Sequence, residues 1–124
     1  MDEEVEELAH AVIGAAIEVH RILGPGLAEV VYEEALCIEL TVRGIPFARQ
    51  PVITMSYKGR SVGESRLDLL VGNMLVVELK SVEALLPVHK AQLVAYLKIT
   101  NNKLGLLINF NVPYLKEGLK RIIL

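Results

Sequence analysis

The 124-residue chain has no tryptophan, two phenylalanines and a single cysteine. One cysteine excludes an internal disulfide, and Cys37 stands inside a helical apolar pattern, where inert packing is its expected role. So few large aromatics leave little material for a base-stacking platform. No glycine-rich phosphate loop and no Cys/His zinc spacing are present. His10 and His20 are ten residues apart, on different faces of a helix, and with His89 they make no ligand set. The longest apolar stretches, such as AVIGAAI and LGLLI, fall far below the ~20 residues that a helix needs to cross a bilayer. The opening MDEEVEELAH is acidic where a signal peptide would be basic. Repeats, low-complexity segments and linkers are also lacking. A single domain over residues 1–124, in the cytoplasm, is the expectation.

What is present is unevenly distributed. Residues 1–42 hold ten acids against one base, Arg21, a net of −9; residues 43–124 hold twelve bases against five acids, a net of +7. The second part therefore offers cations to an anion such as nucleic acid. Hydrophobic residues make up 52% of the chain, generous for so small a domain, which points to a homodimer interface. The apolar stripe of residues 3–23, LGLLINF and the RIIL tail are its expected sources.

Val5, Leu8, Val12, Ala16, Val19 and Leu23 recur at helical spacing, so residues 3–23 read as one amphipathic helix, stopped by LGPG. A second helix is expected from about 27 to 43. FARQPVITMSY reads as a strand, turned by KGR into a second strand over about 61–71. Gly72-Asn73 is a hairpin turn leading into a third strand, 74–80. Pro87 opens a helix reaching about Thr100, LGLLINF reads as a buried strand, and KEGLKRIIL ends in a short edge strand. The expected fold is α/β (α+β): a mixed four-stranded sheet with an antiparallel meander, a crossover helix and flanking helices.

Three ionisable residues do not suit their strands. In MLVVELK, Glu78 and Lys80 share one strand face with Val76. Asp68, in RLDLLV, is an acid in another apolar strand. A hairpin centred on Gly72-Asn73 places it opposite residue 77 or 78. Two neighbouring carboxylates repel and raise each other's pKa, a conflict that a divalent cation removes. Carboxylate oxygens suit Mg2+ or Mn2+. A metal-bound water beside an ammonium such as Lys80 makes a coherent phosphodiesterase site.

This Asp…Glu-x-Lys arrangement across a hairpin resembles the PD-(D/E)XK nuclease superfamily. GLAEVVY, with Gly26, Glu29 and Tyr32, resembles the GxxExxY pattern of a family of small prokaryotic proteins placed there. LGPG, SRLDLLV, VVELK, AQLVAYLK and GLLINF extend the likeness over nearly the whole chain. The resemblance implies a restriction-endonuclease-like core and metal-dependent hydrolysis of nucleic acid, DNA before RNA. Asp68 and Glu78 would be metal ligands and Lys80 the neighbour of the attacking water. Glu29, on the helix stripe with Tyr32, Leu36 and Leu40, would complete the acidic cluster as a third ligand. Gln92 and Tyr96, four apart on one helix face, resemble a Q-x-x-x-Y signature that positions substrate and the active-site lysine or water. Leu67 stands where the superfamily pattern has proline. A different class of reading keeps the fold without catalysis, as a binding or oligomeric interaction module, and a protein partner that delivers substrate is a further expectation.

Overall fold

The computed structural model describes residues 2–124. Two helices lead, α1 (Glu3–Leu23) and α2 (Glu29–Val42), followed by β1 (Phe47–Arg49), β2 (Val52–Tyr57), β3 (Arg60–Arg66), β4 (Leu69–Val71) and β5 (Leu75–Lys80). The helix α3 (Pro87–Thr100), β6 (Leu104–Asn109), a short 3-10 turn (Leu115–Gly118) and β7 (Leu119–Ile123) complete the chain. Asp2 caps α1, its carboxylate accepting from the Glu4 N–H at 2.9 Å. No helix is long and apolar enough to cross a membrane.

The main sheet has the order β1-β4-β5-β6-β7. β5 and β6 run parallel, joined by the α3 crossover, and every other neighbouring pair is antiparallel. This is a mixed α+β fold consistent with a restriction-endonuclease-like core, with five strands rather than four. The fifth is the C-terminal edge strand β7, and the meander differs as well, each of its two expected long strands being broken. At Gln50 (φ 54°) the backbone turns left-handed, and Pro51 has no N–H to give to a ladder. The opposite strand breaks at Leu67 and Asp68. The outer halves, β2 and β3, become a separate two-stranded ribbon. Two bonds carry the pairing across the kink: the Gln50 N–H donates to the Asp68 carbonyl at 2.8 Å and the Leu67 N–H to the Pro51 carbonyl at 3.1 Å. A proline at Leu67 would forfeit the second bond.

Side-chain alternation sorts β5 between two cores. Leu75, Val77 and Leu79 pack with α1 and α2, while Val76 joins Leu67, Ile53 and the α3 residues Leu93, Tyr96 and Leu97. β6 is buried throughout, its apolar run being an interior strand between β5 and β7. LGLLINF therefore supplies none of the expected subunit surface; most of the α1 stripe is likewise consumed inside the fold, Val5, Val12, Ala16 and Val19 all being buried. Exposed apolar side chains stand on the outer side of α2 (Val30, Ile38, Val42), on α1 (Ile17, Ile22) and, as expected, in the tail at Ile123 and Leu124. Gly72 and Asn73 both have φ 58°, the paired positive values of a type I′ hairpin turn. They fix the register Leu69↔Val77 between β4 and β5.

The 3-10 turn closes tightly on the end of β6. A Cβ on Gly118 would stand 2.1 Å from the backbone carbonyl oxygen of Asn109. Gly118→Ala is expected to cost about 3 kcal/mol by forcing backbone to move. An unchanged urea midpoint would contradict this packing.

Candidate active site

The kink in the meander is where the unusual charges meet. With Leu69 paired to Val77, Asp68 falls opposite Glu78, at the point where β4 begins. The two carboxylates are tied to each other's strands. Glu78 Oε2 accepts from the Asp68 N–H at 2.7 Å, and Asp68 Oδ2 accepts from the Leu79 N–H at 2.7 Å. Each acid thus gives one oxygen to the opposing backbone. The second oxygens, Asp68 Oδ1 and Glu78 Oε1, have no protein partner among the described residues. They are not sealed in, since no buried side-chain N or O atom there lacks a hydrogen bond.

Burial dominates the electrostatics. Glu78 is 5% exposed, and loss of solvent, with the Asp68 charge beside it, pushes its pKa up to about 8. Burial raises Asp68 to about 6, with the Glu29 and Glu33 charges adding to the rise and the Leu79 N–H opposing it. Lys80 lowers both, so its ammonium lies within electrostatic reach of the pair. It is half-buried and makes no ion pair among the described residues. The sum is a pair of carboxyls that burial holds partly protonated, each with one oxygen free and with an uncommitted cation nearby.

Glu29 stands less close. It is exposed in the first turn of α2 and acts on both acids through its charge, but no compact group of three acidic or His/Cys side chains exists among the described residues. Its neighbourhood is held by two other signature positions. The Tyr32 hydroxyl donates to the Gly24 carbonyl at 2.5 Å and accepts from the Leu27 N–H at 3.1 Å, pinning the loop that contains Gly26 (φ 98°). The Tyr32 ring stacks on Phe110, centroids 4.5 Å apart. Ser81, next to Lys80, donates from its hydroxyl to the Leu27 carbonyl at 2.5 Å. The start of α2 is thereby latched to the end of β5.

Tyr96 is buried in the second core, its hydroxyl sharing a hydrogen bond with Ser65 of β3 at 2.9 Å. That contact docks the ribbon on α3. Gln92 is exposed and makes no side-chain hydrogen bond among the described residues. α3 runs antiparallel to β5, so Gln92 lies one turn nearer the Lys80 end than Tyr96 does. His89 accepts through Nδ1 from the Leu86 N–H at 3.0 Å, capping α3.

One residue was not singled out by the sequence reading. Glu33 is 5% exposed, accepting from Arg49 Nε at 2.9 Å and from Gln50 Nε2 at 3.1 Å. Since the Gln50 N–H in turn holds the Asp68 carbonyl, Glu33 braces the kink that presents Asp68. Its signal in the sequence is its place one turn after Glu29, on a helix whose next residues inward are apolar.

A family model described as the PD-(D/E)XK nuclease superfamily matches residues 6–122. No curated protein and no solved structure matches the chain.

Raised acid pKa values carry a stability consequence. Between the unfolded values near 4 and the folded values of about 6 and about 8, the native state holds more protons than the unfolded one. Stability therefore falls as pH rises through that window. In EDTA, urea denaturation is expected to show a less stable protein at pH 8 than at pH 5. Glu78→Gln should recover roughly 3 to 4 kcal/mol more at pH 8 than at pH 5. Stability rising from pH 5 to pH 8 would contradict the burial of these acids.

Proposed function

Because the chain belongs to the PD-(D/E)XK nuclease superfamily, we propose that it is a metal-dependent nuclease that hydrolyses phosphodiester bonds of DNA, in the GxxExxY branch of that superfamily and acting as one domain over residues 1–124 in the cytoplasm. The observation that carries this reading is the pairing of Asp68 with Glu78, each with one oxygen free, beside an unpaired Lys80.

The donor set suits a hard divalent cation. Asp68 Oδ1 and Glu78 Oε1 are carboxylate oxygens without protein partners, and their mutual repulsion is relieved only by protonation or by a cation. Asp68 and Glu78 would hold Mg2+ or Mn2+, with Glu29 contributing from the edge of the site, where its length and exposure suit a water-mediated contact. Such an ion, when bound, polarises a water and neutralises charge on a phosphate. The chain's own groups do the rest. The backbone N–H groups of Asp68 and Leu79 fix the carboxylates in place before substrate arrives. The Lys80 ammonium orients the attacking water or offsets charge gained by the scissile phosphate. Gln92, exposed near the Lys80 end of α3, positions substrate. Tyr96 supports it by holding the helix against the ribbon.

Single- and double-stranded DNA and RNA should be tested with Mg2+ and Mn2+. Cleavage is expected on DNA, with Glu78→Ala and Lys80→Ala each lowering the rate at least about 100-fold. Equal rates in wild type and variants would mean a contaminant and would end the proposal. Calorimetry with Mn2+ should show binding that Asp68→Ala abolishes.

We further propose a homodimer, supported by the uncovered apolar side chains on the outer side of α2 and at the chain end. A protein partner that delivers substrate would use the same surfaces. Light scattering is expected to give twice the 13.7 kDa chain mass; the monomer mass would refute the dimer.

A further inference from the structure

The β2–β3 ribbon stands apart from the main sheet and grows from the site, Arg66 lying two residues before Asp68. Its inner side is used internally: Ile53 and Leu67 pack with α3, and Ser65 bonds Tyr96. The outer side is committed to nothing. Glu64 and Arg66 face outward along β3; the register slips at Met55/Ser56, so Arg60, paired with Tyr57, falls on the Ile53 side at the exposed tip.

The tip is chemically odd. Lys58 (φ 50°) and Gly59 (φ 79°) form its two-residue turn. Asn is the residue that tolerates the first of these positions, and the other tight hairpin of this chain spends Gly72-Asn73 on the same job. A lysine there gives up conformational ease for a cation at the far end of the arm. That cation remains available. Every ion pair in the described residues draws its acid from the first 42 residues, and none involves Lys58, Arg60 or Arg66. Arg66 donates to the Gln50 carbonyl at 3.1 Å, leaving the rest of its guanidinium exposed.

We propose that the β2–β3 ribbon is a duplex-gripping arm: Lys58 and Arg60 at its tip and Arg66 at its root hold backbone phosphates on opposite banks of a groove, leading one strand to Asp68 and Glu78. The inference deepens the nuclease reading and rests on it for the identity of the polymer. Arg60 and Arg66 are six residues apart and, with one residue taken up by the bulge, span roughly 17 Å along the ribbon. That exceeds the ~12 Å width of a major groove, so the ribbon can lie across one with a cation on each side. A duplex fits better than a single strand because stacking surface is missing. Tyr57 is the only aromatic on the ribbon. Glu64, the one acid on the ribbon, lies between the cations along β3 and weakens the grip.

The test separates gripping from cutting. Anisotropy of a labelled duplex is titrated with full-length protein in EDTA at several salt concentrations. Lys58→Ala/Arg60→Ala should weaken binding about tenfold and flatten the log–log salt dependence by about two; Glu64→Gln should tighten it. Hydrolysis of bis(p-nitrophenyl) phosphate with Mn2+, a diester too small to reach the tip, should be unchanged in the tip variant. Equal duplex affinity and salt slope in wild type and tip variant, or tighter binding of a single strand than of the duplex, would overturn the arm even if the small diester is cleaved. Loss of duplex binding in the tip variant without any diester cleavage by wild type would uphold the arm and sink the nuclease reading.

Discussion

Two carboxylates in a half-dry crevice repel each other, and the fold is arranged so that neither can move away. Asp68 is held by the backbone of β5, and Glu78 by the backbone of the strand that carries Asp68. Each acid serves as the other strand's missing ladder partner at a point where ordinary pairing has stopped. The kink at Gln50-Pro51 and Leu67-Asp68 creates those unpaired N–H groups, and Glu33 with Arg49 and Gln50 keeps the kink in shape. Removing any of these would leave a buried polar group unsatisfied, a cost of roughly 1–3 kcal/mol. The site is thus the way the sheet accommodates its bend.

This arrangement works against the protein's own stability. Burial raises the pKa of both acids, so at neutral pH the native state holds charge in an unfavourable place. The rest of the chain offsets this with an apolar sheet in which the interior strand β6 is buried from end to end, and with an aromatic stack between Tyr32 and Phe110. Local disfavour held in place by a rigid surround is the usual signature of a binding or catalytic centre.

Much of this was legible in the sequence where a short-range rule applies. The Gly72-Asn73 turn and the two-residue period of strands put Asp68 opposite residue 77 or 78; the structure makes it Glu78, because Met74 also lies in the connection. Helical spacing and the LGPG stop bounded α1, and Pro87 opened α3. What was not legible depends on distant partners. Gln50-Pro51 looks like strand because its neighbours are apolar and branched; the break shows only when Asp68 and Glu33 are in place around it. The burial of Glu33 required knowing that Arg49 lies beneath α2. Tyr96 and Gln92 do share a helix, yet only the fold sends the Tyr96 hydroxyl to Ser65. Of the apolar stretches expected at the surface, LGLLINF is an interior strand of the sheet, while the RIIL tail does expose Ile123 and Leu124.

The type I′ turn at Gly72-Asn73 lies outside the site, yet it sets the count of residues between the two acids. One residue gained or lost there would turn one acid of the pair to the opposite side of its strand. Length in this hairpin is therefore under tighter constraint than residue identity. Side chains along β4 and β5 can drift among apolar types while the spacing of ten between Asp68 and Glu78 stays fixed. A frame-preserving insertion at this turn would be as disabling as loss of a carboxylate, though it would touch no residue of the site.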